Sequence, residues 1–453
     1  MPPGMYGEVQ LIFMWFVLFN VLLAYGMETA FFRFYKGSED QDNVVSTALL
    51  SLLITSSIFL LGGLAGKNIL SGILDIDATY TTYVLLILFL DALVIVPFAW
   101  LRANERPMRY ALVKISNVVI NLGLNVFFIL LLPNIFPENP QSFLASLYRP
   151  KFEIEYILIS NVIASGATLV LMSRAYLLKT YVFDLNLWRK MIAYALPVMV
   201  AGIAFSINEV FNRYLLTELL PQDIAKSEMG KYAACIKLAL FMTLFATAFR
   251  LGIEPFFFSH SNKKDPQKAY AQITDYFVIL GSFILLFVVV FADVLKVLMV
   301  RDKAYWDAMP AVPMVLLASL CLGIYHNLSV WYKITDRTKF GAYISTIGAV
   351  LTLVVNFLLI PKIGYMASAL GTLVAYGSMM GLSYHFGKKY YPVPYNMRKI
   401  TFYGGISIFF SALSFYVFNR NLIIGSLFLL LFLALIYKLE GEKLRTLFFN
   451  REN

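Results

Sequence analysis

Runs of about 20 apolar residues recur along the whole chain, and this feature restricts its fold more than any other. A helix rises about 1.5 Å per residue, so each run is long enough to cross a hydrocarbon core of roughly 30 Å. Helices are expected because backbone polar groups inside lipid must be satisfied within their own segment. The sequence therefore predicts an all-α, polytopic membrane protein.

We place membrane spans at residues 9–27, 44–64, 80–101, 111–133, 154–178, 191–212, 231–257, 273–300, 309–332, 340–360, 364–386, 400–418 and 422–437. Charged residues make up only 14% of the chain, against about 25% in soluble proteins. The net charge of +10 does not indicate a nucleic-acid partner, because the basic residues follow the loops of these thirteen spans. Of the 37 Lys and Arg residues, 24 lie on one predicted face, 11 on the other, and two, Lys237 and Arg250, inside a span. This asymmetry predicts a cytoplasmic C-terminus.

The beginning of the chain and its middle share a sequence framework. The identities are Gly4, Tyr6, Leu18, Phe19, Gly26, Glu28, Phe31 and Phe32, each found again 226 residues later. Eight identities in 29 aligned positions exceed the roughly two or three expected by chance, so we interpret the chain as a duplicated unit. Because the span at 191–212 precedes the second copy, its counterpart would precede residue 1, and we expect a fourteen-helix parent that has lost its first helix.

Charged residues inside apolar spans are the main functional signal, since such residues usually face a cavity or a partner. They are Asp91, Lys114, Glu209, Arg213, Lys237, Arg250, Glu254 and Asp293. Glu209 with Arg213, and Arg250 with Glu254, are four residues apart, so each pair can also have a purely structural role. Glu28, Glu209, Glu254 and Asp91 are therefore candidate coupling or structural partners.

Lys237 and Arg250 attract particular interest because the first copy has Leu11 and Ala24 in their places. A requirement of the scaffold would be expected in both copies, so the asymmetry favours a ligand role. The two residues are 13 positions apart, about 20 Å along a helix and roughly 140° around it, so a straight helix cannot aim both at one ligand. Of the two, Arg250 is the residue that we favour.

A polar stripe follows Lys114, Asn117, Asn121 and Asn125, whose spacing puts them on one helical face. Asn161, Ser165 and Thr168 form a similar stripe in the next span. Such stripes can line a cavity, or their side chains can form hydrogen bonds between helices. Lys114 can also extend its amine to the lipid headgroups. We retain Lys114, Asn121 and Asn125 as candidate cavity residues.

Motifs for catalysis, metals or cofactors are not evident. Cys235 and Cys321 both fall inside apolar spans, and the three histidines have no metal-ligand spacing. The segment GGLAGKN at 62–68 is one residue too short for a phosphate-binding loop and ends in Asn. We therefore expect no metal, no cofactor, no catalytic residue and no enzymatic activity.

Four segments resemble a known family: PGMYGEVQ at 3–10, YGMETAFFRF at 25–34, ALPVMVAG at 195–202, and MGKYAACIKLALFMTLFATAFRLGIEPFFF at 229–258. They are similar to the polysaccharide-biosynthesis, or O-antigen flippase-like, branch of the multidrug/oligosaccharidyl-lipid/polysaccharide (MOP) exporters, in forms typical of Bacteroidetes. The resemblance implies two pseudo-symmetric helical lobes followed by two further helices. We expect a truncated five-helix lobe at 1–180, a six-helix lobe at 187–387, the extra pair at 399–437 and a cytoplasmic tail at 438–453.

The resemblance also implies a function, namely transfer of an undecaprenyl-diphosphate-linked oligosaccharide from the cytoplasmic to the periplasmic leaflet of the bacterial inner membrane. Its expected partners are membrane lipid, the lipid-linked oligosaccharide and a polysaccharide polymerase. A diphosphate headgroup requires fixed positive charge at depth, for which Arg213, Lys237 and Arg250 are candidates. The alternatives are a cation-coupled drug exporter, which needs acidic cavity residues, and a membrane polymerase or acyltransferase.

Overall fold

The computed structural model describes residues 2–104, 106–134, 147–177, 181–207, 211–260, 265–335, 337 and 339–449. Throughout these residues the chain forms helices joined by short connections, and they include no strand. The prediction of an all-α fold is confirmed.

The helices up to Ser206 are α1 (Pro3–Ala24), α2 (Met27–Gly37), α3 (Gln41–Ala65), α4 (Lys67–Leu74), α5 (Ala78–Ala103), α6 (Pro107–Val126), α7 (Glu153–Leu171) and α8 (Leu185–Ser206). A π-helical turn, Phe127–Leu131, extends α6, and a 3-10 turn, Ser173–Tyr176, follows α7.

The helices after this point are α9 (Asn212–Leu219), α10 (Gln222–Cys235), α11 (Leu240–His260), α12 (Pro266–Val290), α13 (Ala292–Met299), α14 (Val312–Leu328), α15 (Val330–Ile334), α16 (Lys339–Ile363), α17 (Tyr365–Tyr390), α18 (Met397–Ala412) and α19 (Leu422–Phe449). Between them lie 3-10 segments at Ile236–Ala239 and Lys303–Ala311 and a π-helical turn at Leu413–Val417.

Helix starts follow ordinary capping chemistry where the chain leaves the apolar region. The side chain of Asp77 accepts a hydrogen bond from the backbone N–H of Thr79 at 2.6 Å, at the start of α5. Asn396 does the same for Lys399 at 3.1 Å, at the start of α18. These side chains satisfy backbone donors that have no partner within the helix, and so fix where each helix begins.

Within the described residues, 12 helical segments are long and apolar enough to cross a membrane. The predicted span at 364–386 is not among them, although α17 is 26 residues long. This helix contains small and polar residues because it packs against both α14 and α16, where Ser368 and Thr372 are buried. The predicted spans therefore correspond to helices, and the eleventh is a packed helix of lower apolarity.

Contacts divide the chain into two compact units, which we call unit 1 (Met1–Gln10 and Ile207–Asn453) and unit 2 (Leu11–Ser206). These boundaries differ from the lobes predicted at 1–180 and 187–387. Helix α8 belongs to unit 2, because it packs against α2 and α3. The helices predicted as an extra pair at 399–437 lie in unit 1, because they pack against α12.

Unit 2 has a core where α2, α3, α5 and α8 meet, centred on Met27, Phe31 and Leu52. The chain reverses conformation between α1 and α2, where Tyr25 has a φ of 33° and Gly26 a φ of 75°. A side chain at Gly26 would collide with the backbone oxygen of Ala195 in α8. Glycine is therefore required there by both the left-handed backbone and the close approach of α8.

Unit 1 contains separate clusters of buried side chains. Tyr325 of α14 packs against Met379 of α17, while Leu286 of α12 packs with Tyr403 and Phe432 of the last two helices. Both cysteines lie in this unit, and both are buried as free thiols.

The two copies of the sequence repeat do not share one backbone conformation. Gly26 lies in the break between α1 and α2, whereas its counterpart Gly252 lies inside α11, and a side chain there would meet no atom within 4 Å. The second copy breaks earlier, at the 3-10 turn Ile236–Ala239. The same motif thus adopts two conformations, and only in the first copy does a neighbouring backbone lie against its glycine.

The start of α1 makes a very close helix–helix contact with α10 in unit 1. A side chain at Gly7 would collide with the backbone oxygen of Lys226, and one at Gly230 would collide with that of Pro3. Small residues allow helix backbones to approach in this way, which is a common packing mode in membranes. Gly4, one turn earlier in α1, has no atom within 4 Å of an added Cβ.

We expect Gly7→Ala to destabilise the protein by about 1–3 kcal/mol, because the added methyl group must push two backbones apart. Gly4→Ala is the matched control in the same helix and should be neutral or slightly stabilising, since alanine favours helices. Thermal unfolding of both variants in detergent measures the difference. Equal melting temperatures for the two variants would contradict the close contact.

Candidate functional site

Unit 1 contains a cavity of about 320 Å³ bounded by α1, α9, α10, α11, α14 and α17. It is lined by Tyr6, Gln10, Asn212, Arg213, Tyr232, Ala233, Ile236, Lys237, Ala239, Leu240, Thr243, Val315, Ser319, Leu322, Thr372 and Tyr376. Two of the predicted candidates, Arg213 and Lys237, are therefore brought together although they are 24 positions apart. We call this space the basic cavity.

Arg213 extends from α9 into the basic cavity with part of its hydrogen-bonding capacity unused. Its Nη1 donates to Oε1 of Gln10 at 3.3 Å, which is a long hydrogen bond. Its Nε is buried and has no acceptor among the described residues. A guanidinium has five N–H donors in a planar fork, so Arg213 retains donors that a ligand could use.

Lys237 reaches the same cavity because α10 does not continue as a regular helix into α11. The residue lies in the 3-10 turn Ile236–Ala239, which changes the direction of side chains relative to a straight helix. Its Nζ lies 4.5 Å from the centre of the Tyr6 ring, within the range of a cation–π contact. The aromatic face partly compensates the charge without neutralising it.

The rest of the described lining of the basic cavity is neutral. Its polar members are amides and hydroxyls, such as Asn212, whose Nδ2 donates to Oγ1 of Thr372 at 3.0 Å. The Asn212 Oδ1 atom is buried and has no donor among the described residues. None of the described lining residues is Asp or Glu, so among them the two positive charges have no balancing carboxylate.

Arg250, the favoured residue of the sequence analysis, is half-buried in α11 and is not among the residues lining the basic cavity. The Arg250 guanidinium instead interacts electrostatically with His326 of α14. The expected pairing with Glu254 falls on a side chain outside the described residues, as does Glu209 as a partner of Arg213. The structure therefore favours Lys237 over Arg250 as a cavity residue.

Unit 2 has a larger cavity of about 640 Å³ with a different charge pattern, which we call the balanced cavity. Its charged residues are Glu28, Asp91, Arg102 and Lys114, two of each sign. Arg102 forms an ion pair with Glu28. Asp91 accepts a hydrogen bond from Ser165 at 2.7 Å and interacts electrostatically with Lys114. The formal charges of these four residues sum to zero.

The predicted polar stripes of α6 and α7 face each other. Asn117 donates to Thr168 at 2.9 Å, and Asn121 donates to Oδ1 of Asn161 at 2.8 Å. Asn125 donates to the side-chain oxygen of Asn121 at 2.7 Å. Lys114 lies over the Phe98 ring at 4.4 Å and lines the balanced cavity, whereas Asn121 and Asn125 do not. Asn121 therefore forms a hydrogen bond between α6 and α7, and Asn125 forms one within α6.

Sequence reasoning did not select Tyr6, Gln10 or Tyr232 for the site. Tyr6 and Tyr232 are equivalent positions of the internal repeat, and both line the basic cavity. The internal repeat could therefore have identified these two tyrosines, since an aromatic residue is present at the same position in both copies. For metals, no group of three or more His, Cys, Asp or Glu side chains that could hold an ion occurs in the part of the chain that the structure describes.

Comparison with known proteins relates this architecture to a transporter fold. The MatE family matches residues 197–358, and no curated protein sequence matches the chain significantly. The lipid II flippase MurJ in an inward closed conformation has a TM-score of 0.72 at 13% identity, over 97% of this chain and 93% of that one. The chain has the fold of MOP-superfamily transporters.

Two further solved structures have the same fold. A multidrug resistance MATE family transporter in an inward-facing conformation has a TM-score of 0.65 at 14% identity, over 89% of this chain and 92% of that one. A MOP superfamily transporter from Pyrococcus furiosus, described as having a binding pocket of reverse polarity that suggests a different function, has a TM-score of 0.59 at 14% identity. That match covers 88% of this chain and 91% of the other.

We expect the Asn121–Asn161 hydrogen bond to act as a structural link between α6 and α7. In a double-mutant cycle, Asn121→Ala and Asn161→Ala should show a coupling of about 0.6 kcal/mol in unfolding free energy, the average for such bonds in membranes. Asn117→Ala with Asn161→Ala is the control cycle and should show no coupling, because Asn117 bonds to Thr168. Equal coupling in both cycles would contradict the assignment.

Proposed function

We propose that this protein is a flippase for a polyprenyl-diphosphate-linked oligosaccharide, which it moves from the cytoplasmic to the periplasmic leaflet of the bacterial inner membrane. The glycan would then enter synthesis of a surface polysaccharide such as the O-antigen. The reaction is translocation and involves no bond making. The single observation that carries this proposal is the basic cavity, with Arg213 and Lys237 and no carboxylate among its described lining residues.

The charge of the basic cavity fits a diphosphate for a physical reason. Two cations held among apolar helices are costly, and an anion that enters between them relieves that cost. Arg213 can offer its planar fork to two phosphate oxygens, while Lys237 supplies a point charge. The neutral amides and hydroxyls around them can donate further hydrogen bonds to the same oxygens. A cationic drug would meet like charge in this cavity.

The fold supports the proposal without deciding the substrate, because it is shared by a lipid II flippase and by multidrug transporters. The Pyrococcus furiosus transporter is described as having a pocket of reverse polarity, which is consistent with pocket charge varying within one fold. We therefore take the charge of the cavity as the guide to its substrate. The polymerase partner remains a prediction from the sequence resemblance.

A cation-coupled drug exporter is the second candidate, and the carboxylates of the balanced cavity favour it. Glu28 and Asp91 could attract a cation or carry a proton. Glu28 pairs with Arg102, however, and Asp91 shares the cavity with Lys114, so the formal charges of the four lining residues sum to zero. An exporter of cations would be expected to have a net negative charge in this lining.

Binding of a soluble polyprenyl diphosphate analogue tests the proposal directly. Geranyl diphosphate should raise the melting temperature of the purified protein, and Lys237→Gln or Arg213→Gln should weaken its binding by roughly 10- to 100-fold. This range corresponds to one charge-assisted hydrogen bond. Arg213→Lys should recover only part of the affinity, because lysine lacks the planar fork.

Arg250→Gln is the matched control, because it removes a positive charge from the same unit at a position outside the cavity lining. It should bind geranyl diphosphate like the unmodified protein. Ethidium should give no comparable stabilisation. If ethidium stabilises the protein while geranyl diphosphate has no effect, the exporter is correct. If Arg250→Gln alone abolishes diphosphate binding, the site has been placed wrongly.

A further inference from the structure

Unit 2 has a groove, separate from the balanced cavity, near the beginning of α6 and the end of α7. It encloses about 330 Å³. Its lining includes Trp100, Arg109, Leu112, Leu171 and Arg174, and no acidic residue lines it in the part of the chain that the structure describes. Both ends of these helices lie on the face with more Lys and Arg residues, which we predict to be cytoplasmic.

A cluster of buried apolar side chains forms the base of the groove. Phe98 and Leu101 of α5 are buried together with Met172, which follows α7. The 3-10 turn Ser173–Tyr176, which contains Arg174, is attached to α5 because the Tyr176 hydroxyl donates to the backbone oxygen of Leu93. The backbone that carries Arg174 is therefore held in place before any ligand arrives.

Polar and apolar groups are separated along the groove. Leu112 and Leu171 are 56% and 52% exposed, so the walls present hydrocarbon surface to the bilayer. Arg109 and Arg174 are exposed at the same site, and neither guanidinium group has a hydrogen bond or ion pair to a described residue. Arg106 is placed differently, with its guanidinium 5.3 Å from the Trp100 ring.

We propose that this groove binds an anionic phospholipid of the cytoplasmic leaflet. The phosphodiester lies between the guanidinium groups of Arg109 and Arg174, and one acyl chain lies along Leu112 and Leu171. Basic pockets between transmembrane helices on the cytoplasmic side suit such headgroups, and the apolar walls distinguish a lipid from a free anion. The site is independent of the transported substrate, since it lies outside both cavities.

Native mass spectrometry of the full chain with added phosphatidylglycerol tests the site. Arg109→Gln combined with Arg174→Gln should weaken phosphatidylglycerol binding by roughly 30-fold, from the usual contribution of two basic residues near a lipid surface. Arg109→Lys with Arg174→Lys should retain most of the binding, because the charge is kept. Arg189→Gln, an exposed arginine in α8 of the same unit, is the control and should have no effect.

A second measurement does not depend on those variants folding. Phosphatidylglycerol with brominated acyl chains should quench the fluorescence that is lost in Trp100→Phe, and inorganic phosphate should not compete. The proposal is overturned if phosphatidylcholine binds equally well, if inorganic phosphate displaces the lipid, or if Arg189→Gln weakens binding as much as the double variant.

Discussion

An ionised side chain among apolar helices must be compensated, because removing it from water costs more free energy than most single contacts return. In unit 2, Arg102 pairs with Glu28, and Lys114 lines the same cavity as Asp91. In unit 1, Arg213 donates a hydrogen bond to Gln10 and Lys237 lies over an aromatic ring. By formal charge the described lining of one cavity is balanced and that of the other is positive, which is the basis for proposing an anionic substrate.

The helical architecture could be predicted from the sequence because apolarity over about 20 residues is a strong physical requirement. The same criterion fails for α17, whose surface is covered by α14 and α16 and so has less need to be apolar. The repeat could be recognised in the sequence, but the backbone conformation of its two copies could not be predicted. Gly26 and Gly252 occupy matching positions, but the first lies in a helix break beside the backbone of Ala195, whereas the second lies inside a helix.

The candidate site was predicted in part for a related reason. Lys237 and Arg213 were identified as charges within spans, and the structure places both in one cavity. Arg250 was favoured as a basic residue deep in its span and absent from the first copy, but Lys237 is likewise absent from that copy. The 3-10 turn Ile236–Ala239, which changes the direction of Lys237 relative to α11, could not be predicted from the sequence. Tyr6 could have been found from the repeat, but its contact with Lys237 is a tertiary feature that no local pattern contains.

The two cysteines of the chain, Cys235 and Cys321, are both buried as free thiols. Buried thiols react slowly with water-soluble reagents, since such reagents need an accessible thiolate. The native protein therefore offers a low background for chemical labelling. A single cysteine introduced into either cavity would report its own exposure to water, and the proposed transport cycle could be followed from each side of the membrane without first removing the natural thiols.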